Sequence, residues 1–291
     1  MVETVAYLGP QGTFTHQAAQ LLFPEQDYQL VSYRSIPDVI LAVDKGICDL
    51  GVVPIENAIE GTVNSTLDWL IHQVDLPIIG ELVYPISQCI MVHPEQAGRP
   101  RQEFTRIFSH PQSFAQSQLR LRQEYPKAEW EYQESNALAA QIVRDNPDKP
   151  WIAVGPRKSG ELYQLHILAE NVQDHANNMT RFVVLGREKK KWEHLKHQMV
   201  KSSFQVTLSS DFPGALYQVL AAFSWRKVNL CHIESRPTKT GLGNYYFLIT
   251  AEMDKDHVLL QGAISEIEAL GCQVRWLGSY PCFRYELAQK T

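Results

Sequence analysis

The 291-residue chain is poor in cysteine. Cys48, Cys89, Cys231, Cys272 and Cys282 are widely scattered, and no two form a C-x-x-C pair. Such spacing signals neither a disulfide framework nor a zinc site, so reduced and mostly buried thiols are expected. Long hydrophobic runs are also missing: no stretch reaches the ~20 apolar residues that a membrane helix needs. Met1–Pro10 has neither a basic start nor an apolar core of the secretory type, so a cytoplasmic protein with no membrane partner is expected. Positive charge is not in excess: 27 Lys and Arg face 32 Asp and Glu, for a formal net charge of −5. Without a basic run to neutralise phosphates, nucleic acid is a poor partner. The ten His residues are dispersed, and the closest pair, His194 and His197, lies in a charged stretch that reads as a solvated linker. No metal site is expected.

What is present is ordinary globular material. Hydrophobic residues make up 44% and charged residues 20%, enough to bury real cores. The length suits two domains, or three small ones. The clearest boundary is the charge-rich Arg187–His197 stretch. Before it, short apolar runs alternate with helical patterns: Val5–Leu8 then Ala18–Leu22, Leu30–Tyr33 then Ile36–Val43, Leu50–Val53 then Leu67–Val74. A second set follows, with Ile86–Val92, Arg106–Phe108, a helix over about Ser113–Arg122, Ser135 capping Ala137–Val143, and the strand Trp151–Val154. This βαβ grammar predicts parallel or mixed sheets covered by helices, arranged as two similar lobes.

After the linker the pattern changes. Phe204, Val206 and Leu208 alternate as a strand, and Leu216, Val219 and Phe223 follow helical spacing, with Pro213 expected in the first turn. Leu230–Ser235 and Tyr245–Ala251 read as strands joined by a loop over Thr240–Asn244. Asp256 is expected to cap a helix carrying Leu260, Ile264 and Ile267, with Gly271 ending it, and Cys272, Val274 and Trp276 alternate as a last strand. The order is βαββαβ, the ferredoxin-like plan.

Four polar motifs lie where strands are expected to end, the place where ligands collect in open α/β sheets. Gly9-Pro10-Gln11-Gly12-Thr13-Phe14 could present N–H groups and a hydroxyl to an anion, but taken alone it reads first as a tight structural turn. Glu56 and Asn57, with Glu60-Gly61-Thr62 beyond, suit either substrate orientation or loop bracing. Ser109-His110-Pro111-Gln112 with Gln116 gathers polar groups at a helix start, where Ser109 would most simply be an N-cap. Thr180-Arg181-Phe182 places a hydroxyl beside a permanent cation, which could hold a carboxylate or form an ion pair.

Taken together and in this order, Tyr7-Leu8-Gly9-Pro10-x-Gly12-Thr13-Phe14, Gly51-Val52-Val53-Pro54-Ile55-Glu56-Asn57, Ser109-His110-Pro111-Gln112 and Asn178-x-Thr180-Arg181-Phe182 resemble the prephenate dehydratase family. Pro213-Gly214-Ala215-Leu216 and Glu234-Ser235-Arg236-Pro237 are similar to an ACT domain of the phenylalanine-binding type. The resemblance covers nearly the whole chain. It implies an α/β catalytic domain of two periplasmic-binding-protein-like lobes over residues 1–186 (about 1–80 with 172–186, and 81–171), a linker at 187–200, and a ferredoxin-like ACT regulatory domain at 201–291. It also implies conversion of prephenate to phenylpyruvate, water and carbon dioxide. That reaction gains an aromatic ring, so it needs no cofactor and no covalent nucleophile, only positioning and polarisation.

The resemblance further assigns roles. Thr180 would assist departure of the ring hydroxyl, Arg181 would hold a carboxylate, and Phe182 would form part of the site wall. Asn57, Ser109 and Gln116 would orient the substrate, Glu56 would support their loop, and Thr13, Asn136 and Ala137 would contribute to substrate binding. Gly214, Ala215 and Leu216, with Glu234, Ser235, Arg236 and Pro237, would bind L-phenylalanine as feedback inhibitor between paired ACT domains, in a homodimer or homotetramer. Two positions depart from the family pattern: Ala58 and Asn136 stand where hydroxyl residues are usual. They leave preference between prephenate and its amino-bearing relative arogenate open. A start almost at the first motif leads to the expectation of a monofunctional enzyme without a fused mutase. An arogenate dehydratase and a non-catalytic aromatic-acid sensor are the rival readings.

Overall fold

A computed structural model describes residues 2–192, 194–208, 210, 212–237 and 245–286. Along the chain run β1 (Glu3–Leu8), α1 (Phe14–Leu22), β2 (Tyr28–Tyr33), α2 (Ile36–Asp44), β3 (Leu50–Asn57), β4 (Gly61–Thr62), α3 (Asn64–His72) and β5 (Ile78–Pro85). Next come β6 (Cys89–Val92), β7 (Arg106–Ser109), α4 (Pro111–Gln116), α5 (Gln118–Glu124), β8 (Glu129–Tyr132), α6 (Asn136–Arg144), β9 (Trp151–Gly155), α7 (Arg157–Leu162), β10 (His166–Ala169) and β11 (Met179–Leu185). The last third carries β12 (Met199–Thr207), α8 (Ala215–Trp225), β13 (Leu230–Pro237), β14 (Tyr245–Ala251), α9 (Val258–Ala269) and β15 (Gln273–Arg284). Among the described residues no helix is long and apolar enough to cross a membrane.

The chain forms two compact units. The first comprises the residues up to Leu67, Tyr84–Phe182 and those from Tyr285 on; the second comprises Asp68–Val83 and Val183–Arg284. In the first unit, β1 lies parallel between β2 and β3, with Val5 opposite Leu30 on one side and Leu50 on the other. Val5, Ala6 and Tyr7 are all buried, the continuous apolar run of a strand covered on both faces. The unit's other sheet has the order β10-β6-β9-β7-β8, parallel along β9-β7-β8 and antiparallel at β6. Its period-2 alternation feeds two cores: Ile152 and Val154 join Phe104, Ile107 and Phe114 on one face, while Ala153 joins Met91, Phe108 and Ala140 on the other.

Helix starts here follow local chemistry. Ser35 Oγ accepts the Asp38 N–H at 3.2 Å to cap α2, and Ser135 Oγ accepts the Leu138 N–H at 3.1 Å to cap α6, as expected. The single helix expected over Ser113–Arg122 is broken at Ser117, where φ is −127° and ψ 16°. The reason is distant in sequence: the Asp174 carboxylate accepts the Leu119 and Arg120 N–H groups at 3.0 and 3.3 Å and starts α5 afresh. The strand expected from Ile86 begins only at Cys89, because Gln88 donates its N–H to the Gln173 side chain at 3.0 Å rather than to a ladder.

The second unit contains the βαββαβ plan. Its sheet order β13-β14-β12-β15 is antiparallel throughout, and β5 adds in parallel to β15. The core gathers Phe204, Val206, Phe223, Ile249, Leu260 and Ile267 under α8 and α9. Three local expectations are corrected. Pro213 precedes the N-cap Gly214 (φ 97°) and so lies outside the first turn of α8. The cap of α9 is His257, whose Nδ1 accepts the Leu259 N–H at 3.2 Å, not Asp256. Strands β12 and β15 extend well beyond their alternating cores, and β15 passes so close to Ile78 that a Cβ on Gly278 would meet its carbonyl oxygen at 2.1 Å. Gly271 does end α9 in the left-handed region (φ 89°), whereas the loop expected over 240–244 lies outside the described residues. The described residues of 187–198 carry no helix or strand, yet the Trp192 ring packs at a tilt against Phe283, with centroids 5.2 Å apart.

Between β5, β12 and β15 lies a sealed charge. Glu81 is fully buried, accepts from Lys201 Nζ at 2.6 Å, and also takes the Cys282 thiol at 3.0 Å. Burial first, and then the Glu81 charge, push that thiol's pKa up to about 12.

Candidate active site

In the first unit a cavity of ≈460 Å³ opens where the ends of β1, β3 and β11 meet the starts of α1, α2, α4 and α6. This is the strand-end crevice that open α/β sheets offer to ligands. On β11, Thr180 and Phe182 line the cavity, as period-2 alternation places them on one face. Arg181, between them, is absent from the lining and pairs instead with the Glu56 carboxylate. The expected trio is thus split: two members meet the cavity and the third braces β11 against β3.

Asn57 joins the loop to the strand. Its Oδ1 accepts the N–H groups of Ile59 and Glu60 at 3.0 and 3.2 Å, so its amide is oriented with Nδ2 as donor. That Nδ2 donates to Thr180 Oγ1 at 2.9 Å and to Asn178 Oδ1 at 3.0 Å. With its oxygen accepting from Asn57, Thr180 keeps its O–H to give, and no acceptor among the described residues takes it.

The opposite wall is polar too. Gln116 Oε1 accepts from Gln88 at 3.0 Å, and its Nε2 donates to Glu60 at 3.2 Å; Gln112 donates to the other oxygen of the same carboxylate. His110 caps α4 through Nδ1, which accepts the Gln112 N–H at 3.3 Å. Burial lowers the His110 pKa, against the pull of Glu60. Ser109 is not the helix cap, is fully buried and absent from the cavity lining, and donates to the Val154 carbonyl at 2.8 Å. Asn136 does line the cavity and braces the helix start, accepting the His110 N–H at 3.0 Å and donating to Ser113 Oγ at 2.8 Å. Ala137 is fully buried behind it. Thr13 lines the cavity while capping α1, with Oγ1 accepting the His16 N–H at 3.3 Å.

Among the described residues no Lys or Arg lines this cavity, whereas Glu60 and Glu134 do. Positive potential comes from the first turns of α1, α2 and α6, whose N-terminal residues all face it. Sequence reading missed Gln88, Ser113 and Glu134 as lining residues. The available signal for Gln88 was a polar side chain inside an apolar run, and it is indeed buried.

In the second unit the two motifs expected to bind an effector sit at one end of the sheet, since β12 and β13 run in the same direction and α8 starts where β12 ends. Gly214 is the left-handed N-cap of α8, Ala215 is buried, and Leu216 packs on the core. On β13, Arg236 donates to Glu234 at 3.1 Å and pairs with Asp68 on α3, while Ser235 and Pro237 take the exposed alternate positions.

A strand-end cavity lined by amides, hydroxyls and two carboxylates and ringed by helix starts is the kind of site that α/β enzymes present to small ligands. The profile of the family described as prephenate dehydratase matches residues 5–190. Prephenate dehydratase of Bacillus subtilis (strain 168) is 42% identical over 284 residues, covering 96% of this chain and 99% of its own length. That of Lactococcus lactis subsp. cremoris (strain MG1363) is 40% identical over 280 residues, covering 96% and 98%. The crystal structure of prephenate dehydratase in complex with L-Phe from Arthrobacter aurescens superposes with a TM-score of 0.81 at 32% identity, over 95% of this chain and 89% of that one. The chain belongs to the prephenate dehydratase family, and with the family goes its reaction, the decarboxylative dehydration of prephenate to phenylpyruvate on the way to L-phenylalanine.

Proposed function

We propose that the cavity of the first unit binds prephenate and that Thr180 gives the hydrogen bond, or relays the proton, with which the ring hydroxyl leaves. The observation that carries this reading is the Asn57 amide held 2.9 Å from Thr180 Oγ1, which makes the hydroxyl a donor toward the cavity. In the reaction the ring carboxylate leaves as carbon dioxide, its bonding electrons enter the ring, and the C–O bond breaks. The departing hydroxide takes one proton, so a dianion and a proton become a monoanion, carbon dioxide and water. A free alcohol is a very weak acid, so Thr180 acts by hydrogen bonding or relay rather than as an ionised acid.

The substrate carboxylates are held by the first turns of α1, α2 and α6, with Thr13 and Asn136 beside them, and by the amides of Gln116 and Gln112. Phe182 forms part of the wall. Arg181 and Glu56 act as a braced pair behind it, and Ser109 and Ala137 fix the α4 and α6 starts from below.

The second reading within this proposal is regulatory. Residues 201–291 act as an ACT domain that binds L-phenylalanine through Gly214–Leu216 and Glu234–Pro237 between paired copies, in a cytoplasmic homodimer or homotetramer, with 187–200 as linker to a catalytic domain at 1–186. The relative solved in complex with L-Phe supports this reading. The test is phenylpyruvate formation, followed by absorbance at neutral pH on prephenate and on arogenate, with and without L-phenylalanine. Turnover of prephenate that is lost in Thr180→Ala and suppressed by L-phenylalanine is expected. Turnover of arogenate alone would move the assignment to the amino-bearing substrate, and turnover of neither would leave a sensor.

A further inference from the structure

The turn between β1 and α1 forms part of the cavity wall through Leu8, Gly9 and Thr13, but its Gly12 contributes no lining. Gly12 is instead held at both of its peptide groups. Its N–H donates to His16 Nδ1 at 3.1 Å, and its carbonyl accepts the Ser159 hydroxyl at 3.0 Å. The two holders come from different sheets of the unit: His16 from α1, beside β1, and Ser159 from α7, which follows β9. The grip is close. Gly12 has φ +91°, and a Cβ there would lie 3.1 Å from Ser159 Oγ and 3.4 Å from its Cα. Both holding side chains are buried.

An imidazole that accepts at Nδ1 is neutral and carries its proton on Nε2. Here Nε2 has no hydrogen-bond partner among the described residues. Four kinds of group face this ring: the Glu25 carboxylate at 3.7 Å beyond the end of α1, Lys158 on α7, the Tyr7 ring on β1 at 5.0 Å, and the Gly12 N–H itself. Burial lowers the His16 pKa, Glu25 opposes that, and Lys158 reinforces it. A second proton would set an Nδ1–H against the Gly12 N–H, two donors without an acceptor.

We propose that neutral His16 is a positioning residue for prephenate turnover: with Ser159 it clasps Gly12 between the two sheets and fixes the wall that carries Leu8, Gly9 and Thr13, and its protonation opens the clasp. The inference rests on the assignment of this cavity to prephenate. Its sign follows from linkage. The folded state disfavours the imidazolium, so the clasp is intact above the ordinary histidine pKa and is lost as pH falls below it through the lowered value.

Asparagine supplies an amide oxygen near the place of Nδ1 that accepts a hydrogen bond at every pH, so His16→Asn is the conservative rescue. In the full-length protein, His16→Asn should keep kcat/KM within about threefold of wild type at neutral pH and hold it on the acid side where wild type declines. His16→Phe fills the space without an acceptor and should raise KM about tenfold or more at all pH values, with a smaller change in kcat. Ser159→Ala should shift KM in the same direction by less. An acid limb unchanged in His16→Asn, or a wild-type KM in both His16→Phe and Ser159→Ala, would overturn the proposal. Should a His16 variant fail to fold, Ser159→Ala alone decides on KM. An arm free of catalysis uses hydrogen exchange of the segment 9–13, corrected for intrinsic rates. Protection that falls with acid in wild type but not in His16→Asn is expected, and equal pH dependence in both refutes the clasp. Wild type that turns over no prephenate would refute the assignment of function, with the exchange arm still judging the clasp.

Discussion

The two units bury polar side chains in opposite ways. In the first, Asn57, Asn178 and Thr180 are neutral, and the chain of donors ends on a hydroxyl that faces a cavity. In the second, Glu81 and Lys201 carry full charges, and Glu81, out of reach of water, takes both the Lys201 ammonium and the Cys282 thiol. A neutral network can leave a donor open toward a cavity without stranding a full charge, and that donor is available to a ligand. In a buried ion pair, removal of one partner leaves a charge where water cannot reach it. Of the two buried polar clusters, the one that borders a cavity is the one left with an open donor.

The widest expected effect tests the incomplete network. Thr180→Ala should lower kcat by about 10²–10⁴-fold with little loss of thermal stability, while Thr180→Ser retains most turnover. Comparable stability in the presence of lost turnover is the result to look for in paired kinetic and calorimetric runs. The sealed pair should behave in reverse. Lys201→Met alone should destabilise by about 3–5 kcal/mol in urea titration, and adding Glu81→Leu should recover much of that. If the double variant were as unstable as the single one, the pair would owe its effect to packing.

Smaller effects sharpen the same contrast. Arg236→Ala removes a cation that pairs with both Glu234 and Asp68, and the concentration of L-phenylalanine giving half inhibition should rise about tenfold while kcat without effector holds. Calorimetric binding of L-phenylalanine separates lost affinity from lost coupling. Ser135→Ala removes the α6 cap, for about 1 kcal/mol of stability, and KM should rise slightly because Asn136 starts that helix. Least of all, alkylation at pH 8 should label exposed Cys231 and spare Cys282, since a thiol pushed up to about 12 offers almost no thiolate until the protein unfolds.

How much of this was legible followed from distance along the chain. Ser135, Gly271 and the βαββαβ order declare themselves within a few residues, because capping and alternation are local. The break at Ser117 does not, because Asp174 supplies the cap from far downstream. The wall built by Glu60 with Gln112 and Gln116 joins residues more than 50 positions apart, so each motif was visible and their meeting was not. Arg181 is a different case. The alternation that sends Thr180 and Phe182 one way and Arg181 the other was readable from the strand, and an ion pair was among the readings its residues offered; the preference for holding a carboxylate came from the family resemblance alone.

The wall without lysine or arginine has a consequence for encounter. If the cavity takes prephenate as proposed, a doubly negative ligand approaching a chain of net charge −5 and a cavity rimmed by Glu60 and Glu134 would not be drawn in by long-range attraction and would be caught at contact, by N–H groups at the helix starts. Added salt screens the repulsion and leaves the short hydrogen bonds in place, so capture in this cavity should hold or quicken as ionic strength rises, the reverse of an electrostatically steered enzyme.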